Sequence, residues 1–292
     1  MTSSITVIGE ALIEEIRDGY RVERRVGGSP LNVAVGTARL GVPTTFVTAI
    51  GADRDGETIA EHLKLSGVTL DAGGVTASPT GRAIARVGPG GAAEYEFAVD
   101  WVPDLSRFAA NAIVHTGSLG AWLSPGAEAV QAALVTARST SIVSFDPNIR
   151  PSLIADATRV HRTVDDLVAL STIVKLSDED ANWLYPGVHP RDVCVGLIES
   201  GAALAAVTLG ESGAIVATRY GVDRIPAPKV HVVDTVGAGD TFMAALLFRV
   251  AADGLEAVIG DPVAAVRFAV EAAAITIGRV GADLPWAADL AV

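Results

Sequence analysis

The chain has a single cysteine, Cys194, and three lysines, Lys64, Lys175 and Lys229, in 292 residues. One thiol excludes a disulfide framework and a cysteine-built zinc site. Each lysine precedes an apolar residue, so no Gly-Lys-Ser/Thr run exists and a Walker-type phosphate loop is excluded. Charged residues are only 19% against 50% hydrophobic, the reverse of a disordered composition. Apolar runs are nonetheless short of the roughly 18 residues that suggest a membrane span. The most apolar segment, Ala264 to Gly278, is broken by Arg267 and Glu271. The N-terminal segment has no basic stretch before an apolar one, so no secretory leader is expected and a cytoplasmic location is. Positive charge is scarce: 22 Lys and Arg face 34 Asp and Glu, for a net charge of −12. With no basic run, neither nucleic acid nor a membrane surface is an expected partner.

Short β-branched runs alternate with longer segments of helical period. Strands are expected at Ile5–Ile8, Thr44–Ala49, Ile113–Thr116, Ile142–Phe145, Ile173–Leu176, Ala206–Leu209 and Ile215–Thr218. Helices are expected at Leu31–Leu40, Glu57–Ser66, Ala127–Ala137, Val160–Leu170, Val193–Ser200, Thr241–Ala252 and Val263–Gly278. This alternation predicts an α/β fold, a doubly wound, mostly parallel sheet with helices on both faces. Strands buried on both sides also account for the high apolar content. Two segments depart from the rhythm. Arg82–Val87 and Ala93–Val99 flank Gly88-Pro89-Gly90-Gly91 and predict a hairpin; Tyr20–Val26 predicts a further strand. With no repeat or linker, residues 1–292 are expected to form one domain, carrying a small antiparallel β-lid from about 12–26 and 80–100.

Several sites are absent. The five histidines form no His-Glu-x-x-His pair. Gly210-Glu211-Ser212-Gly213-Ala214 lacks the last glycine of a nucleophile elbow. Gly9-Glu10-Ala11-Leu12, after the first strand, has one glycine where a dinucleotide fingerprint needs three, which disfavours a nicotinamide oxidoreductase. What remains is Asp234-Thr235-Val236-Gly237-Ala238-Gly239-Asp240-Thr241-Phe242. Small residues opening a helix leave N–H groups free, and the helix end adds partial positive charge. Such a turn forms an anion site without a lysine, suited to a transferring phosphoryl group. A carboxylate there repels phosphate unless it has a task, and accepting a proton from an attacking hydroxyl is one. The alternative is that Asp240 merely caps the helix.

Asp234–Leu247 resembles the C-terminal signature of the ribokinase-like (PfkB-type) carbohydrate kinases. Gly27-Gly28-Ser29-Pro30-Leu31-Asn32-Val33-Ala34, running on to Gly51-Ala52-Asp53-Arg54-Asp55-Gly56, resembles its N-terminal signature. The resemblance implies ATP-dependent phosphorylation of a sugar hydroxyl, with fructokinase foremost and 2-keto-3-deoxygluconate kinase second. A non-catalytic sugar- or nucleotide-binding protein is the alternative of a different class. It further implies that Asp240 is the general base, that Gly237, Ala238 and Gly239 form the anion hole, and that Gly27, Gly28 and Asn32 meet sugar hydroxyls. Glu14 falls where many sugar kinases carry a sugar-binding aspartate. Arg150, in Asp146-Pro147-Asn148-Ile149-Arg150, is placed against phosphate or substrate, or in a structural salt bridge. Thr208, Gly210 and Gly213 are implied beside the nucleotide. The family's Asn-x-x-Glu is replaced by Ser177-x-x-Asp180, so Mg²⁺ is expected near Asp180 and Glu179, through water, with Ser177 also able to cap a helix. A K⁺-type site is implied near Asp234 and Val236. A homodimer formed lid to lid is the expected assembly.

Overall fold

The computed structural model describes residues 3–18, 21–87, 93–106 and 108–290. Among these residues, nine strands form one sheet. Its order is Gly221–Ile225, Ala214–Thr218, Leu204–Thr208, Ile173–Ser177, Ile142–Asp146, Ile113–Gly117, Ile5–Ile8, Thr44–Val47 and Thr69–Leu70. All pairings are parallel except the last hairpin, where Ala214–Thr218 runs antiparallel to both neighbours. The expected strand Ala206–Leu209 starts earlier, at Leu204, and Gly221–Ile225 was not legible as a strand at all.

Alternate residues of each strand bury on opposite faces. Ile5, Val7, Ile113, Ile173 and Leu204 pack with the helices Ser29–Arg39, Ala238–Asp253 and Pro262–Ile277. Ile8, Val114, Val174 and Ala205 pack with Gly126–Ala137, Ala157–Leu170 and Pro190–Glu199. On the first face two helices approach closely: a Cβ added to Gly36 would lie 2.6 Å from the Ala244 methyl and from Leu284. No helix among the described residues is long and apolar enough to cross a membrane.

The off-rhythm segments form a second sheet in the order Arg21–Gly27, Leu12–Asp18, Gly81–Val87, Ala93–Ala98. It consists of two antiparallel pairs joined by a parallel pairing of Leu12–Asp18 with Gly81–Val87. Tyr20 and the turn Gly88-Pro89-Gly90-Gly91 lie outside the described residues. The sheet is fastened to the body at the start of helix Arg54–Leu65. Asp53 caps that helix through the Gly56 N–H at 2.8 Å and also accepts the Thr80 N–H at 2.9 Å. These bonds favour its ionised form and lower its pKa to about 2. Asp55, 5% exposed, takes Arg24 through both oxygens at 2.8 and 2.7 Å and Arg82 at 2.8 Å. Both arginines belong to lid strands, so one buried carboxylate ties two strands of the lid to the domain. Asp55→Ala should lower unfolding stability by about 1–2 kcal/mol, less than a fully buried pair because the arginines are half-exposed. Urea unfolding measures this, and hydrogen exchange should show faster opening of Arg21–Gly27 and Gly81–Val87.

Candidate active site

Strand Ile5–Ile8 has Thr44–Val47 on one side and Ile113–Gly117 on the other, and the later strands continue outward from the latter. This reversal opens a crevice beyond the strands' carboxyl ends, the usual ligand position in such sheets. Glu10 bridges it. Its carboxyl, 1% exposed, accepts the Gly120 N–H at 2.8 Å, and burial raises its pKa to about 7. The turn it holds is strained: Ser118 has φ of 53°, in the left-handed region. Gly28, at φ 119°, lies against the same residue, and a Cβ there would meet the Glu10 carbonyl oxygen at 2.6 Å.

The helix bearing the C-terminal signature starts at Ala238, three residues before the expected Thr241. Gly237 is its cap, with φ 80° and ψ 0°, so Asp240 lies in the first turn and the capping alternative is not realised. Asp240 is 9% exposed and accepts the Ser29 hydroxyl at 2.6 Å on Oδ1 and the Asn32 amide at 2.7 Å on Oδ2. The two signatures thus meet at one carboxylate. Burial raises its pKa, while Ser29, Asn32, Lys175 and Arg150 counteract the shift. Each carboxylate oxygen retains a second lone pair for an incoming hydroxyl. Asn32, expected to touch sugar, spends one amide N–H on Asp240 and keeps its carbonyl and second N–H.

Lys175, distant in sequence, stands beside the small-residue turn. Its Nζ lies so close to the turn that a Cβ on Gly239 would sit 2.9 Å from it. It pairs with Asp146 Oδ2 at 2.8 Å, and the two residues are 3% and 1% exposed. Burial opposes the ammonium charge, but Asp146, Asp180 and Asp240 outweigh it and raise the lysine pKa. The same cation and burial lower the pKa of His115 to about 3, keeping that ring neutral against Ser144 at 2.7 Å.

The remaining candidates divide. Glu14 is half-buried on its lid strand, lies over Gly27, and has its pKa raised by burial and by the Asp240 charge. Arg150 follows a turn in which Asn148 adopts φ 40°. Its charge opposes the raised pKa of Glu10, Glu14 and Asp240. Among the described residues its guanidinium bonds the Ile149 carbonyl at 3.2 Å and forms no ion pair, so the structural salt bridge is not found. Asp180 completes a capping box with Ser177 and also accepts the Ile149 N–H at 2.7 Å, whereas Glu179 is exposed. Thr208 ends its strand beside Ser177, and the turn from Gly210 to Gly213 follows with φ of 52° and 88° at the two glycines. Asp234 accepts N–H groups from Val236 at 3.1 Å and Gly281 at 2.9 Å, with Arg25 at 3.5 Å; these bonds lower its pKa. Ser29, Glu10 and Lys175 were missed as site residues. The lone charge inside the apolar strand Ile173–Ser177 was the available signal for Lys175.

Crevice, lid and helix-borne carboxylate define a phosphotransferase-type architecture. Residues 2–289 match the pfkB family carbohydrate kinase description, and the chain belongs to that family. It is 34% identical over 267 residues to a fructokinase of Rhizobium leguminosarum bv. trifolii, covering 86% of this chain and 81% of that one. Among solved structures it resembles the fructokinase of Xylella fastidiosa with bound ATP, with TM-score 0.84, 28% identity and coverage of 97% and 94%. It also resembles the fructokinase of Vibrio cholerae O395 bound to fructose, ADP and calcium, with TM-score 0.84, 27% identity and coverage of 96% and 94%.

Glu10 gives the site a measurable pH signature. A carboxyl whose folded pKa is raised contributes stability below its unfolded pKa and loses it as pH rises through the folded value. Relative to Glu10→Gln, the native chain should therefore lose stability between pH about 4.5 and 7, by at most about 3 kcal/mol, and stay level above. Denaturant unfolding of both chains across that range checks it.

Proposed function

We propose that this carbohydrate kinase is an ATP-dependent fructokinase. The observation that supports transfer most directly is the first helical turn. There Asp240 is held by Ser29 and Asn32 in the turn after Gly237, where the Ala238 N–H bonds the Thr235 carbonyl at 3.3 Å and the Gly239 N–H, among the described residues, has no such partner. In the proposed reaction a sugar hydroxyl donates to Asp240 and attacks the γ-phosphorus of ATP. The bond to the bridging oxygen breaks, the proton stays on Asp240, and its electron pair leaves with ADP. Gly237 and Gly239 would present N–H groups to the transferring oxygens, and Ala238 would join them by giving up its bond to the Thr235 carbonyl. Thr208, Gly210 and Gly213 would flank the nucleotide, while Gly27, Gly28, Asn32 and Glu14 would face the sugar.

The substrate assignment rests on charge. A keto-acid substrate needs a free cation for its carboxylate. Arg82 is committed to Asp55 at 2.8 Å and Arg86 to Glu96 at 3.1 Å, while Glu14 adds negative charge near the sugar. Arg150 has no ion pair among the described residues, but its charge already acts on Glu10, Glu14 and Asp240. A neutral polyol suits this balance, and the relatives named fructokinase support fructose.

Magnesium is expected with ATP, where it would neutralise phosphate charge. The described residues include no cluster of three or more His, Cys, Asp or Glu able to hold an ion alone. Each Asp180 oxygen still has a lone pair beyond the N–H it accepts, so Asp180 and exposed Glu179 fit a water-mediated role better than direct ligation. Around Asp234 and Val236 the donors are N–H groups and Arg25, so a K⁺ ion there would compete with an arginine. A cytoplasmic location and a lid-to-lid homodimer complete the proposal. Val22, 54% exposed on a lid strand, supports the dimer, whereas Val26, Phe97 and Val99 already pack against the domain.

Asp240→Asn can keep an oxygen toward Asn32 and turn its NH₂ to the Ser29 hydroxyl, so it should fold and bind nucleotide while kcat falls about 10²–10⁴-fold. Near-normal turnover would remove Asp240 as the base. kcat/KM compared across fructose, 2-keto-3-deoxygluconate, ribose and adenosine tests the substrate. A tenfold advantage for the keto-acid, about 1.4 kcal/mol in transition-state binding, would overturn the fructose assignment. In light scattering, a monomer at micromolar concentration would overturn the dimer.

A further inference from the structure

The Lys175–Asp146 pair is poorly built as a structural fastening. Both side chains are buried, yet Asp146 Oδ1 has no hydrogen-bond partner and the lysine bonds Asp146 through one of its three donors. Buried ions are costly unless their hydrogen-bonding capacity is filled, and a pair left half-satisfied is a weak source of stability. The unused capacity is not scattered. Asp146 ends strand Ile142–Asp146, Lys175 stands in the middle of the neighbouring strand Ile173–Ser177, and the ammonium lies against the turn that opens helix Ala238–Asp253. Gly239 is the residue that permits this approach, since any Cβ would meet the ammonium.

We propose that Lys175 is a catalytic residue: a fixed cation beneath the anion hole that contacts the transferring phosphoryl group, with Asp146 as the positioning residue that holds it. The proposal rests on the kinase reading of the site and not on which sugar is phosphorylated. As the acceptor oxygen bonds phosphorus and the bridging bond breaks, negative charge grows on the departing oxygen. A preorganised ammonium in a dry site stabilises that charge without any rearrangement. Lys175 gives up no proton; the hydroxyl proton goes to Asp240. The carboxylates whose charge the ammonium feels are those of Asp146, Asp180 and Asp240, and the neutral His115 ring feels the ammonium in turn. Because Asp240 feels the same cation, its ionised state is supported without a direct salt bridge that would block it.

Removing the lysine alone strands a buried carboxylate, so the informative variant is Lys175→Met/Asp146→Asn, which removes both charges. Its kcat should fall about 10²–10³-fold with the sugar KM little changed. Asp146→Asn alone, which keeps the ammonium but weakens the bond that holds it, should lower kcat by less than the double variant does, with the sugar KM again little changed. A folded double variant with near-native kcat overturns the proposal. A second measurement needs no change at the site. Lys64→Arg/Lys229→Arg alters two exposed positions and leaves Lys175 as the chain's one lysine. Labelled with [ε-¹³C]lysine, it yields one resonance, which should move when ADP, aluminium fluoride and fructose are added with magnesium. It should move far less with fructose alone. An unmoved resonance in a chain that binds ADP overturns the proposal even where the double variant fails to fold. Loss of kinase activity in the native chain would instead overturn the kinase reading.

Discussion

Glu10, Asp146, Asp180 and Asp240 are buried at one end of the main sheet, and a single ammonium, Lys175, is buried among them. Four carboxyl groups cannot all ionise in so dry a place without compensation. The structure supplies it in different ways. Asp180 accepts backbone N–H groups from Ile149 and Ser177, Asp240 takes a hydroxyl and an amide, and Asp146 takes the lysine. Burial still raises the pKa of Glu10 to about 7, that of Asp146 to about 6, and that of Asp240. The strained backbones of Ser118 and Asn148 lie on the two turns that serve these carboxyls. Strain concentrated there is the cost of aiming polar groups into a crevice instead of into water.

Much of the architecture was legible because parallel strands covered on both faces leave unmistakable apolar runs, such as Ile5–Ile8 and Ile173–Ser177. Leu12–Asp18 was harder. Its sequence, LIEEIRD, breaks the alternation of a half-buried strand, because Glu15 is buried with Arg17 and Arg24 and Glu14 turns toward the crevice. The site was legible where it is local. The small residues Gly237-Ala238-Gly239 before Asp240 announce a turn that opens a helix, and the helix does start there. It was illegible where it depends on contact between distant strands. A search for lysine in a glycine-rich loop misses Lys175, which a strand distant in sequence brings beside Gly239. Ser29 was hidden for the same reason, since nothing local says that its hydroxyl meets a carboxylate from the other end of the chain.

The lid shows how one motif serves two purposes. In Asp53-Arg54-Asp55-Gly56 the first aspartate closes the helix and the neighbouring turn, and the second holds arginines from two lid strands. The segment that resembles part of a sugar-kinase signature therefore does its work here as a joint. Movement of the lid over a substrate must leave that joint in place or break several charged hydrogen bonds at once. Bending within the strands beyond Arg24 and Arg82 is the less costly route.

The close crossing at Gly36 has a consequence for the distance across the site. Helix Ser29–Arg39 brings Ser29 and Asn32, helix Ala238–Asp253 brings Asp240, and a missing side chain lets the two helices touch. That contact acts as a spacer of zero thickness. A methyl group inserted there would wedge the helices apart, and the displacement would be felt two turns away as a longer reach from Ser29 and Asn32 to the carboxylate. Misplacement of about 1 Å at reacting groups can cost on the order of 10²-fold in rate. A residue with no chemistry of its own, far outside the crevice, thereby sets the tolerance to which the crevice is built.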